Sequence, residues 1–134
     1  MTRVLIAEDS SVIQKLIQGL LAKDPSVQVV ATAGDGMAAV EAVKQHKPDF
    51  MILDYRMPKM NGPEVIKAVM SETPLPIMVL TSAEPFEEKK KECLGLGAVG
   101  FMEKPKGMDY NSIATQLITY VKTLSRLKPA KRTY

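Results

Sequence analysis

Five short apolar runs, each followed by a stretch of helical period, constrain this chain more than any other feature of its sequence. The runs are Arg3–Ala7, Gln28–Ala33, Phe50–Leu53, Ile77–Leu80 and Val99–Glu103. They are of strand length and mostly lack strict alternation, as expected of parallel strands covered on both faces. Right-handed crossovers then leave a doubly wound α/β fold with a five-stranded parallel sheet, (βα)5, as the most economical packing. At 134 residues the chain is read as a single domain over residues 1–128, followed by a frayed basic tail at 129–134.

The intervening segments carry helix signals. Val12, Ile13, Leu16, Ile17, Leu20 and Leu21 repeat every four residues along one face, with Ser10 or Ser11 as cap. A second helix is predicted over Asp35–Gln45 with Met37, Ala38, Val40, Ala42 and Val43 inward, stopped by Pro48. A third starts at Pro63 and carries Val65, Ile66, Val69 and Met70. The fourth, Phe86–Leu96, has a narrow stripe broken by charges and loosened by Gly95 and Gly97, so it is predicted to be the most mobile element. A fifth, Asn111–Leu127, presents Ile113, Leu117, Val121 and Leu124.

Several function classes drop out early. No apolar run is long enough for a bilayer and no signal peptide opens the chain, so a cytoplasmic protein without a membrane partner is expected. The net charge of +3 owes much to Lys122, Arg126, Lys128, Lys131 and Arg132 near the C-terminus. With no DNA-binding motif beside them, they read as a solvated helix end, and no direct nucleic-acid contact is expected. Cys93, the sole cysteine, reads as structural, and His46, the sole histidine, as a surface residue without a second ligand. Gly34 and Gly36 do not form a dinucleotide-binding pattern.

In such folds the functional cleft lies beyond the carboxyl ends of the strands, where strand order reverses. Glu8 and Asp9 follow the first strand, Asp54 the third, Thr81 and Ser82 the fourth, and Lys104 the fifth. Two like charges about 4 Å apart repel by roughly 4 kcal/mol at an effective dielectric of 20, so three converging acids call for a cation. Carboxylate oxygens with water in the other positions suit Mg²⁺. A carboxylate can also attack phosphorus, while a divalent ion, a lysine and a hydroxyl neutralise the transferring group. Asp54, Thr81 and Lys104 are therefore the candidate reactive residues, and Glu8, Asp9 and Asp54 the candidate metal ligands.

These residues sit in motifs that resemble the receiver domains of response regulators from Val4 to about Leu124: Val4-Leu5-Ile6-Ala7-Glu8-Asp9-Ser10, Ile52-Leu53-Asp54-Tyr55-Arg56-Met57-Pro58-Lys59-Met60-Asn61-Gly62, Leu80-Thr81-Ser82-Ala83 and Phe101-Met102-Glu103-Lys104-Pro105. The resemblance implies a two-component phosphorylation switch. In it Asp54 accepts phosphate from a sensor histidine kinase, Asp9 binds Mg²⁺ directly, Glu8 acts through water, and the Arg56 carbonyl completes the protein ligands. It further implies that Thr81 and Lys104 hold the phosphoryl group and that Phe101 is the rotamer switch. The surface of the fourth helix, fifth strand and fifth helix would then control an output domain or effector, the chain being a monomer or a phosphorylation-dependent dimer. Glu8 stands where the family often has Asp, and Asn61 replaces another frequent Asp.

Asp24-Pro25, Val29-Val30-Ala31-Thr32-Ala33, Asp35-Gly36 and Gly97-Ala98-Val99-Gly100-Phe101 with Lys104-Pro105-Lys106-Gly107 are similar to the receiver half of chemotaxis methylesterases. Single-domain CheY-like regulators share parts of these segments, which leaves both a stand-alone receiver and the regulatory half of an esterase open. Three other readings compete. A haloacid-dehalogenase-like phosphatase needs an acid two residues after the nucleophile, where this chain has Arg56. A flavodoxin-like electron carrier needs aromatics around a flavin, and aromatics are 5% of this sequence. A receiver-like binding module without phosphorylation does not account for the intact set of acids, Thr81 and Lys104.

Overall fold

The computed structural model describes residues 1–134. Strands β1 (Thr2–Ala7), β2 (Val27–Ala33), β3 (Phe50–Leu53), β4 (Ile77–Thr81) and β5 (Gly100–Glu103) alternate with helices α1 (Ser11–Leu21), α2 (Gly36–His46), α3 (Gly62–Glu72), α4 (Phe86–Leu96) and α5 (Ala114–Leu124). All strand pairs are parallel and the sheet order is β2-β1-β3-β4-β5. The order reverses between β1 and β3, which places the cleft over their carboxyl ends. No helix is long and apolar enough to cross a membrane.

The expected two-sided burial is present. Leu5, Ala7, Met51, Leu53, Ile77 and Val79 face a core under α2, α3 and α4. Their strand neighbours Val4, Ile6, Phe50, Ile52, Met78 and Leu80 face a second core under α1 and α5. The three inner strands therefore present alternate residues to two apolar layers, and Val4–Ala7, Phe50–Leu53 and Ile77–Leu80 read as unbroken apolar runs, whereas the edge strand β2 exposes Gln28 and Thr32.

The helix starts are set by side-chain caps. The Ser10 hydroxyl accepts from the Ile13 N–H at 3.3 Å and Asp35 from the Ala38 N–H at 2.8 Å. Asn61 and Glu64 form a reciprocal capping box ahead of Pro63. At the far end of α2, Lys47 takes a left-handed φ of 46° before Pro48, which ends the helix one residue later than expected.

Two expected inward faces and one expected helix need correction. On α2 the buried residues are Gly36, Ala39, Ala42 and Val43, with Val40 partly buried, whereas Met37 is 58% exposed and Ala38 is also exposed. The rotation follows from Gly36, where a Cβ would lie 2.0 Å from the Met60 carbonyl oxygen. The helix start is pressed against the β3–α3 loop, and the stripe runs at three- and four-residue steps from Gly36. On α1, Val12 in the first turn is exposed, while Ile17, Leu20 and Leu21 further along are buried. The predicted fifth helix is split into a 3-10 turn at Tyr110–Ile113 and α5, which ends at Leu124 rather than Leu127.

Residues 129–134 have no regular structure, yet they make defined contacts. The Arg132 N–H donates to the Met70 carbonyl at 3.0 Å and its guanidinium to the Gly95 carbonyl at 2.8 Å. The Tyr134 hydroxyl donates to the Leu96 carbonyl. The segment thus crosses the C-terminal ends of α3 and α4.

Candidate phosphoryl and metal site

The sheet ladder carries each site residue to its position. The Glu8 N–H donates to the Ala33 carbonyl at 2.9 Å, the Asp54 N–H to Ala7 at 3.0 Å and the Lys104 N–H to Thr81 at 3.0 Å. Parallel pairing is thereby continued one residue past the strands, where side chains leave the sheet for the cleft.

Glu8, Asp9 and Asp54 offer carboxylate oxygens that all lie within 4.8 Å of one another. Glu8 and Asp54 are buried and Asp9 is exposed. The Lys104 ammonium bridges the two buried acids, 2.6 Å from Glu8 Oε1 and 2.8 Å from Asp54 Oδ2, with its side chain only 11% exposed. The other Glu8 oxygen accepts from the Ser10 N–H at 3.0 Å. Burial pushes the Glu8 carboxyl up to about 7, and hydrogen bonds from Lys104 and Ser10 only partly offset this, while Asp9 and Asp54 add to it. Burial works against the Lys104 ammonium, but its bonds to Asp54 and Glu8 outweigh that and raise its pKa.

One ammonium among three carboxylates leaves negative charge uncompensated, and that imbalance is the chemistry of a divalent-cation site. Oxygen ligands of Mg²⁺ at about 2.1 Å lie at most about 4.2 Å apart. Carboxylate oxygens grouped this closely at one cleft, with room for water between them, fit such an ion. Arg56 lies two residues beyond Asp54 in the β3–α3 loop with its side chain exposed.

Thr81 is 1% exposed, and its Oγ1 accepts from the Ala83 N–H at 3.1 Å. A hydroxyl has two acceptor lone pairs and one proton, so the proton stays available for an incoming oxygen. Phe101 is half-buried on β5 and meets Phe86, the first residue of α4, edge-on. An open hollow of about 370 Å³ lies on the β5 side of Lys104, lined in part by Ser82, Glu84 and Lys106. The residues expected at the strand ends are therefore assembled at one cleft. Tyr55 is the member of this region that motif reading passed over; an aromatic directly after Asp54 was the available signal.

A doubly wound sheet with an acid cluster, a buried lysine and a threonine at its switch point defines a class of phosphoacceptor switches, and the chain belongs to the response regulator receiver domain family, whose model matches residues 4–114. Membership decides against the phosphatase and electron-carrier alternatives. The chain is 35% identical over 137 residues to a protein-glutamate methylesterase/protein-glutamine glutaminase of Nitrosospira multiformis, covering 98% of this chain but only 39% of that protein. In structure it is similar to the response regulator domain of Thermotoga maritima CheB, with a TM-score of 0.89, 30% identity and coverage of 96% of this chain and 99% of that one. It is also similar to the CheX–CheY–BeF3–Mg²⁺ complex from Borrelia burgdorferi, with a TM-score of 0.74, 26% identity and coverage of 88% and 89%.

Proposed function

We propose that Asp54 accepts a phosphoryl group from a histidine kinase and that this chain serves as the regulatory receiver of a chemotaxis methylesterase. The observation that carries the reading is the Lys104 bridge between Glu8 and Asp54 at the switch point, beside the buried Thr81 hydroxyl. Likeness to the methylesterases over nearly the whole chain supports the choice of output, with the esterase activity belonging to a segment outside this sequence.

The Asp54 carboxylate attacks phosphorus, forming a P–O bond as the donor's P–N bond breaks, and the leaving imidazole nitrogen retains that bonding pair. Lys104 moves its hydrogen bond from Asp54 Oδ2 to a phosphoryl oxygen, and the Thr81 hydroxyl donates to another. Asp9, Asp54 and the Arg56 carbonyl would hold Mg²⁺ directly and Glu8 through water, since Lys104 and Ser10 already engage both Glu8 oxygens. Bound there, the ion supplies positive charge against the equatorial oxygens. The likeness to a complex containing BeF3 and Mg²⁺ supports that assignment.

Incubation with acetyl phosphate and Mg²⁺ should add one phosphoryl group by mass spectrometry, and Asp54→Asn should abolish it. Undiminished labelling of the Asn variant would place the acceptor elsewhere.

A further inference from the structure

Helix α4 has little apolar surface with which to fix itself. Cys93 is its only buried residue, and its N-cap Pro85 supplies no side-chain hydrogen bond. Yet the middle of the helix is tied to the residue covalently next to Asp54. Tyr55 is 7% exposed and belongs to the same apolar cluster as Val65, Ile66 and Cys93. Its phenol donates to Glu92 Oε1, and the Lys89 ammonium lies 4.8 Å from its ring centroid. Residues three apart share a helix face, so one tyrosine meets a carboxylate and a cation of the same α4 face.

The other end of this connection is held as firmly. The Tyr55 carbonyl accepts from the Gly62 N–H at 2.7 Å, and a Cβ at Gly62 would stand 2.9 Å from Tyr55 Cα. The main chain at Tyr55 is thus seated against the first turn of α3 and has little freedom to absorb a displacement of its own side chain. The clasp exists in the arrangement in which Lys104 bridges Glu8 and Asp54 and Phe101 rests on Phe86.

We propose that Tyr55 is a positioning residue that clasps α4 through Glu92 and Lys89 and couples the pose of α4 to phosphoryl binding at Asp54. The proposal rests on Asp54 being the acceptor. Coupling between two sites is reciprocal, so a clasp that favours the phosphate-free pose of α4 lowers affinity for a phosphoryl group by the same factor, and releasing it raises that affinity.

The test uses the full chain and four variants, Tyr55→Phe, Glu92→Ala, Glu92→Gln and the Tyr55→Phe/Glu92→Ala double. Two quantities are read: amide hydrogen exchange over residues 86–96 without ligand, and affinity for beryllofluoride with Mg²⁺, a stable phosphoryl mimic, by calorimetric titration. Tyr55→Phe and Glu92→Ala should each speed exchange in α4 and tighten beryllofluoride binding about 5-fold, the lower end of common coupling factors. The double variant should go no further than either single one. Glu92→Gln keeps an oxygen acceptor for the phenol and should behave like the unsubstituted chain. Glu92 is exposed, so its variants retain the fold even if Tyr55→Phe does not. Exchange and affinity unchanged in both single variants, or effects that add fully in the double, would overturn the clasp. If the unsubstituted chain binds no beryllofluoride, the reading of Asp54 fails, and the exchange measurements alone then decide whether Tyr55 holds α4.

Discussion

Phe101 meets Phe86 edge-on, with ring centroids 5.1 Å apart and planes inclined at 72°, so the β5 aromatic is engaged with the first residue of α4. An inward turn of Phe101 must give up this contact, and such pairs contribute about 0.5–1.5 kcal/mol beyond their buried area. The Thr81 hydroxyl, drawn toward a phosphoryl oxygen, would leave the space that the ring enters. We therefore expect phosphorylation with Mg²⁺ to change amide exchange chiefly between Thr81 and Asp109, with Val12–Leu21 nearly unaffected. Thr81→Ala should still take up phosphate at Asp54 but transmit little of the change. An undiminished exchange response in that variant would rule out this route.

Lys104 offers a separate test of the site's electrostatics. Removing one member of a buried ion pair leaves its partner uncompensated and typically costs about 3–5 kcal/mol. Lys104→Met should lower stability by about that amount in urea titrations without divalent cations, because Glu8 and Asp54 lose the ammonium they share. Addition of Mg²⁺ should recover part of the loss by supplying positive charge to the same oxygens. Equal stability of the two chains in metal-free buffer would show that the bridge contributes nothing net.

The two acids after β1 should differ in their effect on the metal. Asp9 is exposed and has both oxygens to offer, while Glu8 is 2% exposed and committed to Lys104 and Ser10. Loss of a residue that acts on the metal indirectly typically weakens binding about 10- to 100-fold. Glu8→Ala should show a loss of that order in Mg²⁺ titrations and Asp9→Ala a larger one. Equal losses would contradict the division.

The strands and the cleft were legible in the sequence for one physical reason. Strands buried on both faces must be apolar throughout, so the polar residues that interrupt them, Glu8, Asp54, Thr81 and Lys104, mark the ends where function sits. Helix rotation was less legible. Met37 and Ala38 have the composition of a core face, but the close approach of Gly36 to Met60 sets the phase of α2, and no local pattern encodes a contact between distant segments. The ties on α4 were hidden for the same reason. Tyr55, Arg132 and Tyr134 reach it from other parts of the chain, and a helix without a strong stripe gives no hint of which face they meet. The split at Tyr110–Ile113 was masked because Ile113 and Leu117 keep helical spacing across it.

Cys93 provides a readout of how firmly α4 is seated. Its thiol is fully buried, and burial pushes its pKa up to about 12, helped by the charge of Glu92 and opposed by Lys89. The neutral thiol is the form the fold favours. Its contribution to stability is accordingly complete below the ordinary thiol value of 9.0 and is lost as pH climbs through about 12. At pH 8 the thiolate is therefore far scarcer in the folded protein than in the unfolded chain. Iodoacetamide at pH 8 should therefore leave the native protein almost unlabelled while labelling it rapidly in urea, and the residual native rate should report opening of α4 rather than direct attack. Tyr55→Phe and Glu92→Ala should raise that residual rate. Labelling of the unsubstituted native chain at the urea rate would mean that α4 does not shield Cys93 at all.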